Sequence, residues 1–321
     1  MSCRKVVHHV VAAFGLAALA AAALAQQPAA PPPPPTMKQL KPTVWAGIGG
    51  SGGNSTIIIG NTGVIVVDAK QTEAGAKDLL AGIAKITPKP VTTVFLTHSD
   101  GDHINGLVAY PAGIRIIAHE GNKKEQEAAI AAGGRGAPQA DRLPNQVVTK
   151  DPETMTIDGV KLELHHWSPA HTSGDLVVYL PDQKIVATGD ITVANRADDN
   201  PNIHPEKNGS SEGWLTVVKG ILSLDAEYYV PGHGDLLTKA DIQRKLTMTI
   251  ERRAKIAAMI KEGKTLAEIK AALPDAPAPG AAARGAGAPG GGPGGAPAGR
   301  AGGGAPPATY VDVVYAEMTR K

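Results

Sequence analysis

Two histidines and two aspartates fall within six positions of one stretch, Thr97-His98-Ser99-Asp100-Gly101-Asp102-His103. Ahead of it runs an apolar and β-branched segment, Val91 and Thr93 to Leu96, and Ile104-Asn105-Gly106-Leu107 follows. That pattern predicts a buried strand ending at the histidine. Carboxylates so close together repel one another, and a cation between them relieves the repulsion better than a core or a bare surface does. The stretch is therefore expected to be a metal-binding loop at the carboxyl end of a strand. Whatever the chain folds into has to bring further ligands to that point.

With 321 residues the chain can bury a substantial core as one large domain or two small ones. Residues 1–25 carry a basic start (Arg4, Lys5), an Ala/Leu/Val run from Val10 and the small-residue exit Ala23-Leu24-Ala25, the three-part pattern of a signal peptide. Cleavage is expected after Ala25, because the run is Ala-rich and short for a membrane span. It would remove Arg4, Lys5 and the single cysteine, Cys3, and take the formal charge from +2 to zero. A mature protein without cysteine has no disulfide and no thiolate ligand, which suits a periplasmic or secreted location. Near-neutral charge, few aromatics and no Lys/Arg cluster argue against a nucleic-acid partner. No membrane attachment is expected after cleavage, and the oligomeric state is not legible.

Residues 26–42 read as a Pro/Ala-rich linker and 43–274 as the folded domain. Short strands are expected at 44–46, 55–59 and 63–67, the last two joined by Gly60-Asn61-Thr62-Gly63. Glycines 47, 49, 50, 52 and 53 make the first connection loose enough to serve as a flap. Helical spacing covers 72–86 and 119–132, a hairpin turns at Asp158-Gly159, and strands follow at 175–180, 184–188 and 227–230. Helices are expected at 104–109, 212–223, 239–262 and 265–273, the last opened by a Thr265/Glu268 capping box. Residues 275–308, almost wholly Ala, Gly and Pro, read as a disordered insertion, and 309–321 as a helix docking back on the domain.

Beyond the opening stretch, three more ligand-bearing points stand at predicted strand ends or turns: His171 in Pro169-Ala170-His171-Thr172, Asp190 in Thr188-Gly189-Asp190, and His233 in Pro231-Gly232-His233-Gly234. Histidine and carboxylate without cysteine suits zinc, iron or manganese. In this order and spacing the motifs resemble those of the metallo-β-lactamase superfamily, a His-x-His-x-Asp-His block, a lone His, a Gly-Asp and a Gly-His. The resemblance covers about residues 43–275. It implies an α/β chain folded as a four-layer αβ/βα sandwich with two divalent metal ions, zinc first, at the rim between the sheets. It also implies roles residue by residue. His98 and His171 would hold one metal, Asp102, His103 and His233 the other, and Asp190 would bridge them.

One position departs from the pattern: Asp100 stands where most of the family has its second histidine. A carboxylate is still an oxygen ligand, or it orients a neighbouring ligand. Counted as a ligand, Asp100 makes the cluster formally neutral, since three carboxylates and a hydroxide cancel two divalent cations. That predicts a weaker Lewis acid and a site more open to iron or manganese.

The resemblance further implies an exported metallo-hydrolase in which a metal-bound hydroxide attacks an ester, thioester, lactone, phosphodiester or lactam of a small-molecule substrate, with Asp102 counted as catalytic. Asp190 favours a general metallo-hydrolase over a true β-lactamase, in which the resemblance has another residue at that point. Two other readings stay open, a di-iron redox-type protein suggested by Asp100 and a metal-binding protein without turnover. Asn105, His204 and the 195–210 loop are candidate substrate contacts. His119, His165, His166 and His204 read by default as structural histidines, Asp68 as a residue that caps or orients a loop near the metals.

Overall fold

Which way each side chain faces along the strands decides how the layers stack. The computed structural model describes residues 31–133, 137–194, 200–275 and 308–320. A first sheet holds β1 (Thr36–Lys41), β2 (Val44–Ile48), β3 (Ser55–Ile59), β4 (Val64–Val67), β5 (Val91–Leu96), β6 (Arg115–His119) and β7 (Gln146–Val148), side by side in chain order. It is antiparallel as far as β4 and parallel from there on. The second sheet contains β8 (Glu153–Ile157), β9 (Val160–His165), β10 (Val177–Leu180), β11 (Ile185–Gly189) and β12 (Tyr228–Pro231), with β12 outermost next to β11. Only β11 and β12 pair in parallel there.

In β4, Ile65 and Val67 point one way and Val64 and Val66 the other, and the two sets enter different cores. Ile65, Val67, Phe95 and Ile117 meet Leu162, Leu164, Val178 and Ile185 of the second sheet. On the outer face Val64, Val66, Val94 and Ile116 pack against Ala76, Leu79 and Ile83 of α1 (Glu73–Ile86) and against Ile104 and Leu107. The segment 101–109 forms one short α-helical piece, α2 (Gly101–Ile104), and a 3₁₀ turn, Asn105–Ala109. α3 (Glu120–Ala131) follows β6. On the far side, Val177, Tyr179 and Val186 carry α4 (Ser211–Ser223), α5 (Lys239–Lys261), α6 (Leu266–Ala272) and α7 (Tyr310–Thr319) through Trp214, Val217, Ile242, Leu246, Ile269, Val311 and Val314. Helices therefore cover both outer faces, giving the four-layer αβ/βα sandwich. Among the described residues no helix is long and apolar enough to cross a membrane.

Two features depart from the expectations. The first sheet starts at Thr36, inside the expected linker, because Thr36–Lys41 pairs antiparallel with β2. Only Leu40 of that strand is buried, so its stabilisation comes from the backbone ladder and from ion pairs of Lys38 with Asp235 and Lys41 with Glu227, both at 2.6 Å. Such a strand has no apolar alternation to read. The glycine-rich connection 47–53, expected to be a flap, is pinned from below. Lys70 is wholly buried and donates to the carbonyls of Gly47, Gly49 and Gly53 at 3.3, 2.8 and 2.6 Å. The expected signal peptide, residues 195–199 of the polar loop, and 276–307 of the Ala/Gly/Pro insertion lie outside the described residues.

Candidate metal centre

Neighbouring parallel strands end on the same edge of a sheet, so residues just past their carboxyl ends are brought together. Asp68 follows β4, Thr97 and His98 follow β5, Asp190 follows β11, and His233 lies two residues past β12. His171 comes from the loop between β9 and β10. All seven residues expected to hold metal meet at this rim. The His98 ring lies tilted 4.2 Å from that of His103 and edge-on 4.7 Å from that of His171, and the His103 and His233 rings are 5.2 Å apart.

Two donor sets can be traced in this cluster. In one, His98, His171 and Asp190 offer ligand atoms within 4.8 Å of one another. Asp100 joins them, its Oδ2 lying 3.2 Å from His171 Nε2 and 3.8 Å from His98 Nε2. In the other, His233 Nε2 stands 3.0 Å from Asp102 Oδ2 and 3.3 Å from His103 Nε2. Asp190 Oδ1 lies 3.2 Å from His103 and 3.5 Å from His233, between the two sets.

Hydrogen bonds behind the rings fix which nitrogen faces inward. Asp68 Oδ2 accepts from His103 Nδ1 at 2.8 Å, and the Thr97 hydroxyl donates to the same oxygen at 2.8 Å while meeting His98 Nδ1 at 2.8 Å. His171 Nδ1 donates to the Asn202 carbonyl at 2.7 Å. Each ring therefore directs Nδ1–H outward and turns Nε2 toward the centre, the orientation that metal-binding histidines need. From the sequence Asp68 reads as a residue that caps or orients a loop near the metals, and nothing in its own neighbourhood links it to imidazoles some thirty positions on.

Close packing is secured by glycines. A Cβ on Gly53 would stand 2.1 Å from His103 Cε1, and one on Gly232 would stand 1.8 Å from Asp190 Oδ1. The glycine-rich connection is thus a wall against which His103 rests.

Burial works against every charge in the centre, and the charges answer one another. Asp100 and Asp190 are held well below the usual carboxylate range although burial alone would raise them; His171, His98 and Lys207 act on the first, His233 and His103 on the second. Burial would also lower His103 and His171, but Asp68, Asp190 and Asp102 raise the former well above its ordinary value, and Asp100 lifts the latter to about 9. Excess negative charge thus gathers protons onto imidazoles that point inward, a charge balance that cations would supply instead.

Do these residues fit metal ions? His98 Nε2 and Asp190 Oδ1 are buried with no hydrogen-bond partner among the described residues. Stranding a buried nitrogen lone pair and a carboxylate oxygen costs about 1–3 kcal/mol each unless something unlike a hydrogen-bond donor occupies the space between them. The donor set, imidazole and carboxylate without sulfur, fits zinc, iron or manganese.

Two further residues reach the centre from the 200–208 segment. His204 places Nε2 3.3 Å from Asp100 Oδ2, and Lys207 pairs its ammonium with Asp100 Oδ1. Lys207 also touches Ser99 Oγ at 2.9 Å. Asn105, the other candidate contact, packs beside Gly101 at the base of the ligand loop and lines a cavity of about 250 Å³ with Leu107, Val108 and Arg142. His119, His165 and His166 form a separate group, with His119 stacked on His166 at 3.9 Å and His165 on Trp167 at 4.5 Å.

Comparison with known proteins agrees with this geometry. The family profile described as the metallo-beta-lactamase superfamily matches residues 48–233. The chain is similar to the 2,4-dinitroanisole O-demethylase subunit beta of Nocardioides sp., 26% identical over 66% of this chain and 62% of that protein. It is likewise similar to the metallo-beta-lactamase type 2 of Bacillus cereus, 25% identical over 57% of this chain and 67% of that one. Among solved structures a stereoselective inverting sec-alkylsulfatase from Pseudomonas sp. superposes with a TM-score of 0.64 at 20% identity, covering 76% of this chain and 46% of the sulfatase. The chain spans only 42–62% of the length of the first curated relatives it matches. With the profile match, the shared sandwich and the rim cluster taken together, the chain belongs to the metallo-beta-lactamase superfamily.

Proposed function

We propose that this chain is an exported metal-dependent hydrolase acting on a small-molecule ester, thioester, lactone, phosphodiester or lactam. The observation that carries the reading is the convergence of inward-facing Nε2 atoms and carboxylate oxygens from both sheets on one rim, with His98 Nε2 and Asp190 Oδ1 left without a hydrogen-bond partner among the described residues. The curated relatives, which include an alkylsulfatase, a β-lactamase and an acyl-carrier-protein thioesterase, support hydrolysis as the reaction class. Export rests on the Arg4/Lys5 start, the apolar run and the Ala23-Leu24-Ala25 exit.

His98, His171, Asp100 and Asp190 would hold one divalent cation, and Asp102, His103, His233 and Asp190 a second. When bound, such ions supply Lewis acidity toward the electrophile and make water a nucleophile near neutral pH. The protein's own part is to keep that centre rigid. Asp68 and the Asn202 carbonyl hold the outer imidazole protons at Nδ1, so no ring can flip to offer the wrong nitrogen. Asp102 is the more exposed of the carboxylates, at 20% against 9% for Asp190, and its Oδ2 faces His233. It is the group placed to accept a proton at the open side and to return it to a leaving group.

A panel of nitrocefin, a thioester, a lactone, an alkyl sulfate and bis-nitrophenyl phosphate, run on protein of measured metal content, tests this. Turnover of at least one member, abolished by chelator and restored by cation, is expected. Absence of turnover on the whole panel by fully loaded protein would leave a metal-binding protein without hydrolysis.

A further inference from the structure

The resemblance leaves the His98 side of the centre one imidazole short, because Asp100 occupies the place of the motif's second histidine. We propose that His204 supplies the missing imidazole and is a ligand of the cation held by His98, Asp100 and His171, with Glu206 fixing its tautomer. The inference rests on the metal-centre reading above.

The geometry is that of donors sharing an ion. Three imidazole nitrogens, His98 Nε2, His171 Nε2 and His204 Nε2, surround one carboxylate oxygen, Asp100 Oδ2, at 3.8, 3.2 and 3.3 Å. Tetrahedral ligands with bonds of about 2.0–2.1 Å to a cation stand roughly 3.3 Å from one another. Hydrogen-bonded pairs are drawn closer, to about 2.9 Å. His171 directs its Nδ1 proton to the Asn202 carbonyl, so a cation that displaces the proton shared between Nε2 and Asp100 Oδ2 finds that nitrogen already facing it.

His204 repeats the design of the expected ligands. Its Nδ1 donates to Glu206 Oε1 at 2.7 Å, as His103 does to Asp68, leaving Nε2 bare toward the centre. Asn202 Nδ2 approaches that Nε2 at 3.4 Å, too long to hold it firmly. Backbone bonds fix the residue independently of any ion: His204 N–H donates to the His171 carbonyl at 2.9 Å, and Gly209 N–H to the His204 carbonyl at 2.9 Å. Lys207, on the same turn, takes Asp100 Oδ1 and leaves Oδ2 to the three imidazoles. Its positive charge restores the unit that replacing histidine by aspartate removes. One segment, 202–207, therefore supplies both the imidazole and the charge that Asp100 costs the centre.

Cobalt(II) titration of the full chain, followed by elemental analysis and by the visible absorption of the bound ion, tests this for wild type, His204→Ala and Glu206→Gln. Wild type should take two equivalents. His204→Ala should bind one of them at least about 100-fold more weakly, with a changed spectrum, and Glu206→Gln the same one about 10-fold more weakly. Should His204→Ala bind both equivalents with wild-type affinity and spectrum, His204 is not a ligand while the centre stands. Should wild type bind none, the centre itself is wrong and the inference falls with it. If His204→Ala proves unfolded by circular dichroism, Glu206→Gln decides the matter, and unchanged affinity there overturns the proposal.

Discussion

Asp68 shows how much one side chain can organise without touching the reacting region. It sits just past β4 with φ of 65°, a left-handed conformation that aspartate and asparagine tolerate better than most residues, and it is 3% exposed. That turn aims one carboxylate at three partners: His103 Nδ1, the Thr97 hydroxyl and, through Oδ1, the Thr97 amide at 2.8 Å. One anion thus orients both His103 and, through Thr97, His98. Asp68→Asn keeps the shape and the backbone preference but puts an NH₂ where an acceptor is needed. We expect the fold to survive, with unchanged far-UV circular dichroism, and metal affinity to fall about 10- to 100-fold. Unchanged affinity would mean that the rings are positioned by packing alone. His204 and Lys207 make a similar point about what a sequence hides. Motif spacing could place His98, His171 and His233, because their loops repeat a family pattern, whereas the 195–210 loop has no code that says which of its polar residues turns inward.

At the scale of single elements, strongly patterned segments were legible and weakly patterned ones were not. α1, α4 and β5 carry apolar residues at periods that fit their faces, and they stand within a residue or so of where the periodicity puts them. β1 and the three-residue β7 carry no such signal, since a ladder hydrogen bond leaves no mark on side-chain type. α3 illustrates a boundary set by a residue read as incidental. The spacing starts that helix at His119, but His119 is its N-cap, with Nδ1 accepting from the Gly121 amide at 3.2 Å. Only a neutral ring can accept there. Burial, and then the stacked His166, push its pKa from 6.5 down to about 4. As pH falls the unfolded chain therefore takes up this proton first, so the stabilisation is complete above about 6.5 and drains away toward about 4. His119→Asn supplies a capping oxygen that does not titrate. Its melting temperature should drop less than that of wild type between pH 7.5 and 5. Parallel decline of the two proteins would show that the cap stays neutral for another reason or contributes nothing.

For the whole molecule, the centre is a joint between two halves that also meet through an apolar core and through surface ties such as Lys38 with Asp235 and Asp158 with the Thr62 and Gly63 amides. His98, Asp100, Asp102 and His103 belong to the turn after β5 in the first sheet, while His171, Asp190 and His233 extend from the second. This division follows from the sandwich, and the order of the motifs along the chain announced it before any distance was known. The joint also gathers three buried or half-buried carboxylates, Asp100, Asp102 and Asp190, on one rim, where protons on the facing imidazoles and the Lys207 ammonium balance their charge. Ions bound there should act as cross-links that exist only in the folded state, because the unfolded chain scatters the donors over more than a hundred positions. Linkage then fixes the size of the effect. A free cation at a thousand times its dissociation constant stabilises the fold by about 4 kcal/mol per site, which for a domain of this size corresponds to roughly 8–16 °C in Tm. Chelation should lower Tm by an amount of that order, and each tenfold rise in free cation during back-titration should restore about 1.4 kcal/mol per site until both are saturated. The measurement is a calorimetric series at buffered cation concentrations on protein whose bound metal is counted in parallel. Two bound equivalents with a Tm that ignores free cation would mean that the ions bind the unfolded chain as well as the folded one, and the rim would then be a store of ligands on a fold whose sheets need no tie.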